Sequence, residues 1–145
     1  MDAYTIQDLL VGQRASFTKT ISESDVYLYA GITGDFNPLH IDAQHAEKTM
    51  FKKRIVHGAL LTGFISNVLG MKLPGPGALY ASQELAFKKP VYIGDTITAF
   101  VEVLEIKEQK NRVLFRTGCI NQNDELVAEG TSILLPTKSN QPTNQ

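Results

Sequence analysis

Asp35, Asn37 and His40 stand close together in the run Gly34-Asp35-Phe36-Asn37-Pro38-Leu39-His40. A carboxylate, an amide and an imidazole are groups with which proteins move protons and steady developing charge. Histidine titrates near neutrality and can give or accept a proton, while a nearby carboxylate can orient or activate a water. Taken singly, an Asp and a His on a loop are more often a backbone cap and a solvated ring. Here Gly34 and Pro38 punctuate the run, so all three polar residues are expected on a turn. Gly34 can take backbone angles that a side chain forbids, and Pro38 fixes its own φ. A loop stiffened this way holds its side chains in one relative geometry, as acid–base work requires.

The elements on either side must position that run. Alternation over residues 14–21 predicts a strand, and Ser22 or Ser24 offers the N-cap of a helix. Val26, Tyr29, Ala30 and Thr33 recur at helical spacing until Gly34, which sets Asp35 just past a helix C-terminus. After His40, Asp42 caps a short helix through Ala43, Ala46 and Met50. Residues 59–69 form a helix that is apolar on nearly every face, and such a helix must be covered all round. Gly58 lies at its start, where free backbone N–H groups and the positive dipole end point outward. That N–H can donate to an oxygen on which negative charge develops, and Gly58 can also simply relieve crowding between helix and sheet. For His57 a structural role is expected, its ring satisfying nearby backbone.

Beyond Leu73-Pro74-Gly75-Pro76-Gly77 the chain reads as strands over residues 78–88, 96–107, 112–121 and 126–135. The connections are too short for crossover helices, so neighbours should be antiparallel. The fold class is α+β: about five antiparallel strands wrapped around one central apolar helix. One domain is expected over residues 1–136, with 137–145 as a disordered polar tail.

Composition narrows the function. The 145 residues carry 14 basic and 15 acidic groups, a net charge of −1, which gives no electrostatic reason to expect nucleic acid or a membrane surface as partner. The single cysteine, Cys119, excludes an internal disulfide and is expected as a small apolar strand residue. No basic region followed by an apolar run opens the chain, and no apolar stretch is long enough to span a bilayer, so a cytoplasmic location is the default. Asp42, His45 and Glu47 match no tight metal-ligand spacing, and no metal is expected.

The Gly34-Asp35-x-Asn37-Pro38-x-His40 string, with His57-Gly58 ahead of the apolar helix, resembles the R-specific enoyl-CoA hydratases of the MaoC-like hotdog family. The resemblance covers residues 9–136. It implies reversible hydration of a trans-2-enoyl-CoA to an (R)-3-hydroxyacyl-CoA, with Asp35 as base and His40 as acid. Which of the two moves which proton stays open. The oxyanion donors implied are the Asn37 amide and the Gly58 backbone. No cofactor is implied beyond the coenzyme A of the substrate. Thr62 and Gly63 face the implied acyl chain, and some relatives carry serine at the Gly63 position, so chain-length preference does not carry over. Among the basic residues Lys52, Lys53, Arg54, Lys88 and Lys89, the expected contacts to coenzyme A phosphates are Arg54, Lys88 and Lys89. Edge-to-edge pairing into a homodimer is also implied. The rival readings are a hotdog acyl-CoA thioesterase and a non-catalytic acyl-CoA-binding module.

Overall fold

The helix leading to the polar run starts on a reciprocal cap. In the computed structural model, which describes residues 2–138, the Asp25 N–H donates to Ser22 Oγ (3.1 Å) and the Ser22 N–H to Asp25 Oδ2 (2.9 Å). This box satisfies donors that the first turn leaves free, and it selects Ser22 as the cap. Helix α1 (Glu23–Thr33) buries Val26 and Ala30 and stops at Gly34, whose φ of +80° is left-handed and whose N–H closes on the Ala30 carbonyl at 2.8 Å.

Strands β1 (Arg14–Thr20), β2 (Leu79–Phe87), β3 (Thr96–Lys107), β4 (Arg112–Ile120) and β5 (Leu126–Leu135) form one antiparallel sheet in the order β1-β3-β4-β5-β2. Alternate residues of β3 (Ile97, Ala99, Val101, Val103) and of β4 (Val113, Phe115) are buried, as period-two patterning requires. The last helix, α4 (Gly58–Met71), lies against the sheet and buries Leu61, Ile65, Val68 and Leu69. Burying each such side chain stabilises the fold by about 2 kcal/mol. Strands β2 and β5 approach so closely that a Cβ at Gly130 would sit 1.7 Å from the Glu84 carbonyl oxygen, so only glycine fits there. Cys119 is buried in β4, and desolvation pushes its thiol up to about 12, which makes it an inert core residue.

The structure corrects three expectations. α4 begins one residue earlier than 59–69 and runs two further, because Gly58 accepts the first helical position and Gly70 continues rather than ends the helix. The helix is not covered all round: Ala59 and Gly63 are exposed, since a sheet covers only one side of a cylinder. The short helix after Asp42 (α3, Ala43–Glu47) stops before Met50, which is 86% exposed. The tail expected over 137–145 falls, from residue 139 on, outside the described residues. Among the described residues no helix is long and apolar enough to cross a membrane.

Candidate active site

Asp35 follows the left-handed Gly34 directly, so the end of α1 sets its backbone. Its N–H donates to Thr33 Oγ1 (3.2 Å), and its Oδ1 accepts the Asn37 N–H (3.3 Å). Asn37 is itself a cap: its Oδ1 accepts the Leu39 N–H at 3.1 Å and starts a one-turn helix, α2 (Pro38–Ile41). His40 therefore sits on a helical turn and not on the irregular loop expected. The Asn-Pro pair is the physical reason, since proline at the first helical position loses nothing by lacking an N–H. With Oδ1 committed to Leu39, the Asn37 Nδ2 group is left as a donor that can be offered to a ligand.

His40 is 8% exposed, whereas Asp35 and Asn37 are open to solvent. The His40 ring is held by Nδ1, 2.7 Å from the Ile55 carbonyl oxygen. A carbonyl only accepts, so Nδ1 carries a proton and Nε2 is the ring nitrogen left for other partners. Ile55 is fixed in turn by its bridge to Tyr92 and by its N–H to the Leu39 carbonyl (3.3 Å).

His57, the N-cap residue of α4, makes no capping bond with its side chain. Its Nε2 lies 2.9 Å from the Asp35 carbonyl oxygen, and its ring lies against that of His40 with centroids 3.9 Å apart and planes inclined by 30°. The expected role, satisfying backbone, is met; contact with both members of the pair was not foreseen. The reactive atoms of Asp35, His40 and His57 all lie within 4.8 Å of one another. Three such groups can hold a cation. Here each ring spends one nitrogen on a carbonyl and keeps the other, and the two rings pack against each other at a tilt.

Gly58 follows, and its N–H has no hydrogen-bond partner among the described residues. A Cβ there would lie 2.9 Å from the Phe87 ring, so glycine also relieves crowding, as the plainer reading held. Gly58 and Ile55 line a cleft of about 360 Å³ together with Val56, Leu61, Phe87, Lys88, Lys89 and others. Its walls are largely apolar, with the two lysines among its lining. Lys89 pairs with Glu125, an exposed bridge of little energetic weight, and holds the Glu125 carboxyl below its usual range. Arg54 lies apart from this cleft. Its guanidinium is paired with Glu23 and donates to Tyr27 Oη (3.0 Å), and it lines a separate groove with Lys52, Lys53 and Tyr92. Its hydrogen bond to Glu23 holds that carboxyl low and raises the guanidinium. Exposed Glu23 and half-buried Arg54 thus satisfy each other. Thr62 is half-buried, and the space around Gly63 is open.

Five antiparallel strands laid over one long apolar helix define a hotdog fold. The chain belongs to the MaoC-like family, whose domain matches residues 10–124. It is 48% identical to an (R)-specific enoyl-CoA hydratase of Rhodospirillum rubrum over 91% of this chain and 92% of that protein. It is 44% identical to a 3-hydroxybutyryl-CoA dehydratase of Methylorubrum extorquens over 88% of this chain and 81% of that one. An R-hydratase of Pseudomonas aeruginosa, solved unliganded, superposes with a TM-score of 0.89 at 41% identity, covering 94% of this chain and 88% of that one.

Proposed function

We propose that this chain is an (R)-specific enoyl-CoA hydratase. The observation that carries the reading is that the reactive atoms of Asp35 and His40 lie within 4.8 Å of each other, with the His40 ring held on the carbonyl of Ile55, which lines the apolar cleft together with Gly58. The names of the relatives at 41–48% identity support the same reaction. Conjugation with the thioester makes C3 of the enoyl group electrophilic. Water held between Asp35 and His40 adds its oxygen to C3, and the electron pair moves through C2 onto the thioester oxygen. Asn37 Nδ2 and the Gly58 N–H donate to that oxygen, each such donor being worth about 3 kcal/mol. The water proton passes to the pair and returns to C2 on the same face, which completes a syn addition. The neutral His40 ring, protonated at Nδ1, begins as an acceptor at Nε2 and becomes the acid once it has taken that proton, while the Asp35 carboxylate orients the water and shares the base role.

No step calls for a cofactor, since coenzyme A belongs to the substrate. Lys88 and Lys89, among the residues lining the cleft, are assigned to its phosphates, and Arg54, committed to Glu23, is assigned only a secondary part. The setting proposed is cytoplasmic. Mixing the protein with crotonyl-CoA tests the reading: the enoyl absorbance should fall with no release of free thiol. Thiol release instead would identify a thioesterase, and binding with no turnover a carrier module.

A homodimer is part of the proposal. Strand β2 is an edge, with Leu79 61% and Phe87 55% exposed, and its end runs into the cleft at Lys88. An uncovered apolar edge is a surface that proteins normally pair or shield. The exposed side of α4 at Ala59 and Gly63 is small enough for close approach. Twofold pairing along β2 would cover the edge and place a cleft near the seam in each copy. Light scattering at micromolar concentration should give twice the 16.0 kDa chain mass. A fully active monomer would refute the pairing.

A further inference from the structure

His57 is 1% exposed, and its Nδ1 is the one buried side-chain polar atom without a hydrogen-bond partner among the described residues. Burying an unpaired acceptor costs about 1–3 kcal/mol. A helix-cap residue would ordinarily turn such an atom on the first N–H groups of its helix, and His57 does not. The ring is spent elsewhere. Its Nε2–H holds the Asp35 carbonyl, its face meets His40, and Tyr29 of α1 touches it with centroids 4.6 Å apart. One buried side chain thus ties together the backbone of the carboxylate residue and the ring of the imidazole residue, which come from different elements.

We propose that His57 is a positioning residue for the hydration reaction, setting the distance and angle between Asp35 and His40 and bracing the His40 ring as it takes up a proton. The inference rests on the hydratase reading. Two physical effects support it. Acid–base groups must be held to within a fraction of an ångström, and misplacement by about 1 Å can cost 10²-fold in rate. The His40 ring also packs against the His57 ring with centroids 3.9 Å apart, and that contact limits its reorientation as it takes up a proton. The hydrogen bonds give the two rings opposite tautomers: Nδ1–H at His40, fixed by the Ile55 carbonyl, and Nε2–H at His57, fixed by the Asp35 carbonyl.

Two variants separate the two contacts. His57→Gln keeps a donor near the Asp35 carbonyl and removes the ring. His57→Phe keeps a ring against His40 and removes the donor. Each should lower kcat about tenfold or more while KM stays within about threefold, because ground-state binding does not use the ring. Thermal melting, read in parallel, gives the folded fraction. Variants that melt earlier but turn over at the wild-type rate per folded molecule would show a role in stability alone and overturn the proposal. Nitrogen-15 spectra of the wild-type histidine rings, with exposed His45 as reference, make the test independent of folding in the variants. They should show Nε2–H at His57 and Nδ1–H at His40. A His57 ring protonated at Nδ1 would overturn the proposal, even in an active enzyme. Wild-type protein without hydratase turnover would sink the functional reading, and the spectra would still report on the contact.

Discussion

Replacing Asp35 or His40 by alanine should lower kcat by a factor of about 10² or more, the share that positioned acid–base groups ordinarily contribute. The expectation follows from the way both are built. Asp35 is fixed by a left-handed glycine behind it and by the His57 ring on its carbonyl, and His40 is fixed by the Ile55 carbonyl at 2.7 Å. Asp35 is exposed, so its loss leaves no cavity and the rate can be read without correction. His40 is buried, and alanine there opens a gap. His40→Asn is the companion variant, because its amide can still donate to the Ile55 carbonyl yet offers no proton-accepting nitrogen. If the two side chains share one water, they act as a unit, and the double variant should lose little more than the worse single one. Steady-state rates on crotonyl-CoA decide the matter. Near-wild-type turnover in folded Asp35→Ala or His40→Asn would remove that residue from the chemistry.

The fold was legible where its cause is local or periodic. Period-two burial marks β3, the apolar run after Gly58 marks α4, and the Ser22–Asp25 box and Gly34 bracket α1 within a residue. The helical turn at Pro38–Ile41 is hidden in the sequence because Gly34 and Pro38 read as breakers, although Asn-Pro is also a helix-start signal. The site was legible as a set of residue types and not as a set of contacts. Nothing local ties His57 to His40 across 17 positions of sequence. Their rings meet because α2 and the start of α4 are both hung on the 55–57 segment, which the bridge to Tyr92 and the Val56 N–H to the Val91 carbonyl (2.7 Å) fix to the sheet side. One available signal is that His57, one of only three histidines in the chain, directly precedes Gly58 at the start of the apolar helix. Arg54 shows a second contact that nothing local announces. A basic run reads as a phosphate site until the fold brings Glu23 and Tyr27 against its last member.

Asn37 carries the second large effect, and its two roles can be pulled apart. Its Oδ1 caps α2 through the Leu39 N–H, which turns Nδ2 outward as the group left for a substrate oxygen. Alanine removes both functions, and the lost cap alone costs about 1 kcal/mol of stability. Asn37→Asp keeps the capping oxygen and replaces the outward donor with a second acceptor, in the same shape. Melting temperature should therefore be close to wild type in Asn37→Asp and lower in Asn37→Ala. Turnover should follow the opposite logic. Both variants lose the donor proposed for the thioester oxygen, whose charge grows toward the transition state, so kcat should fall by about 10²–10³. Asn37→Asp should fall at least as far as alanine, because a carboxylate faces the developing negative charge. The measurement is a pair of kcat and KM values beside a melt for each variant. A loss confined to KM would make Asn37 a substrate-binding group only, and full activity in Asn37→Asp would reduce it to a helix cap.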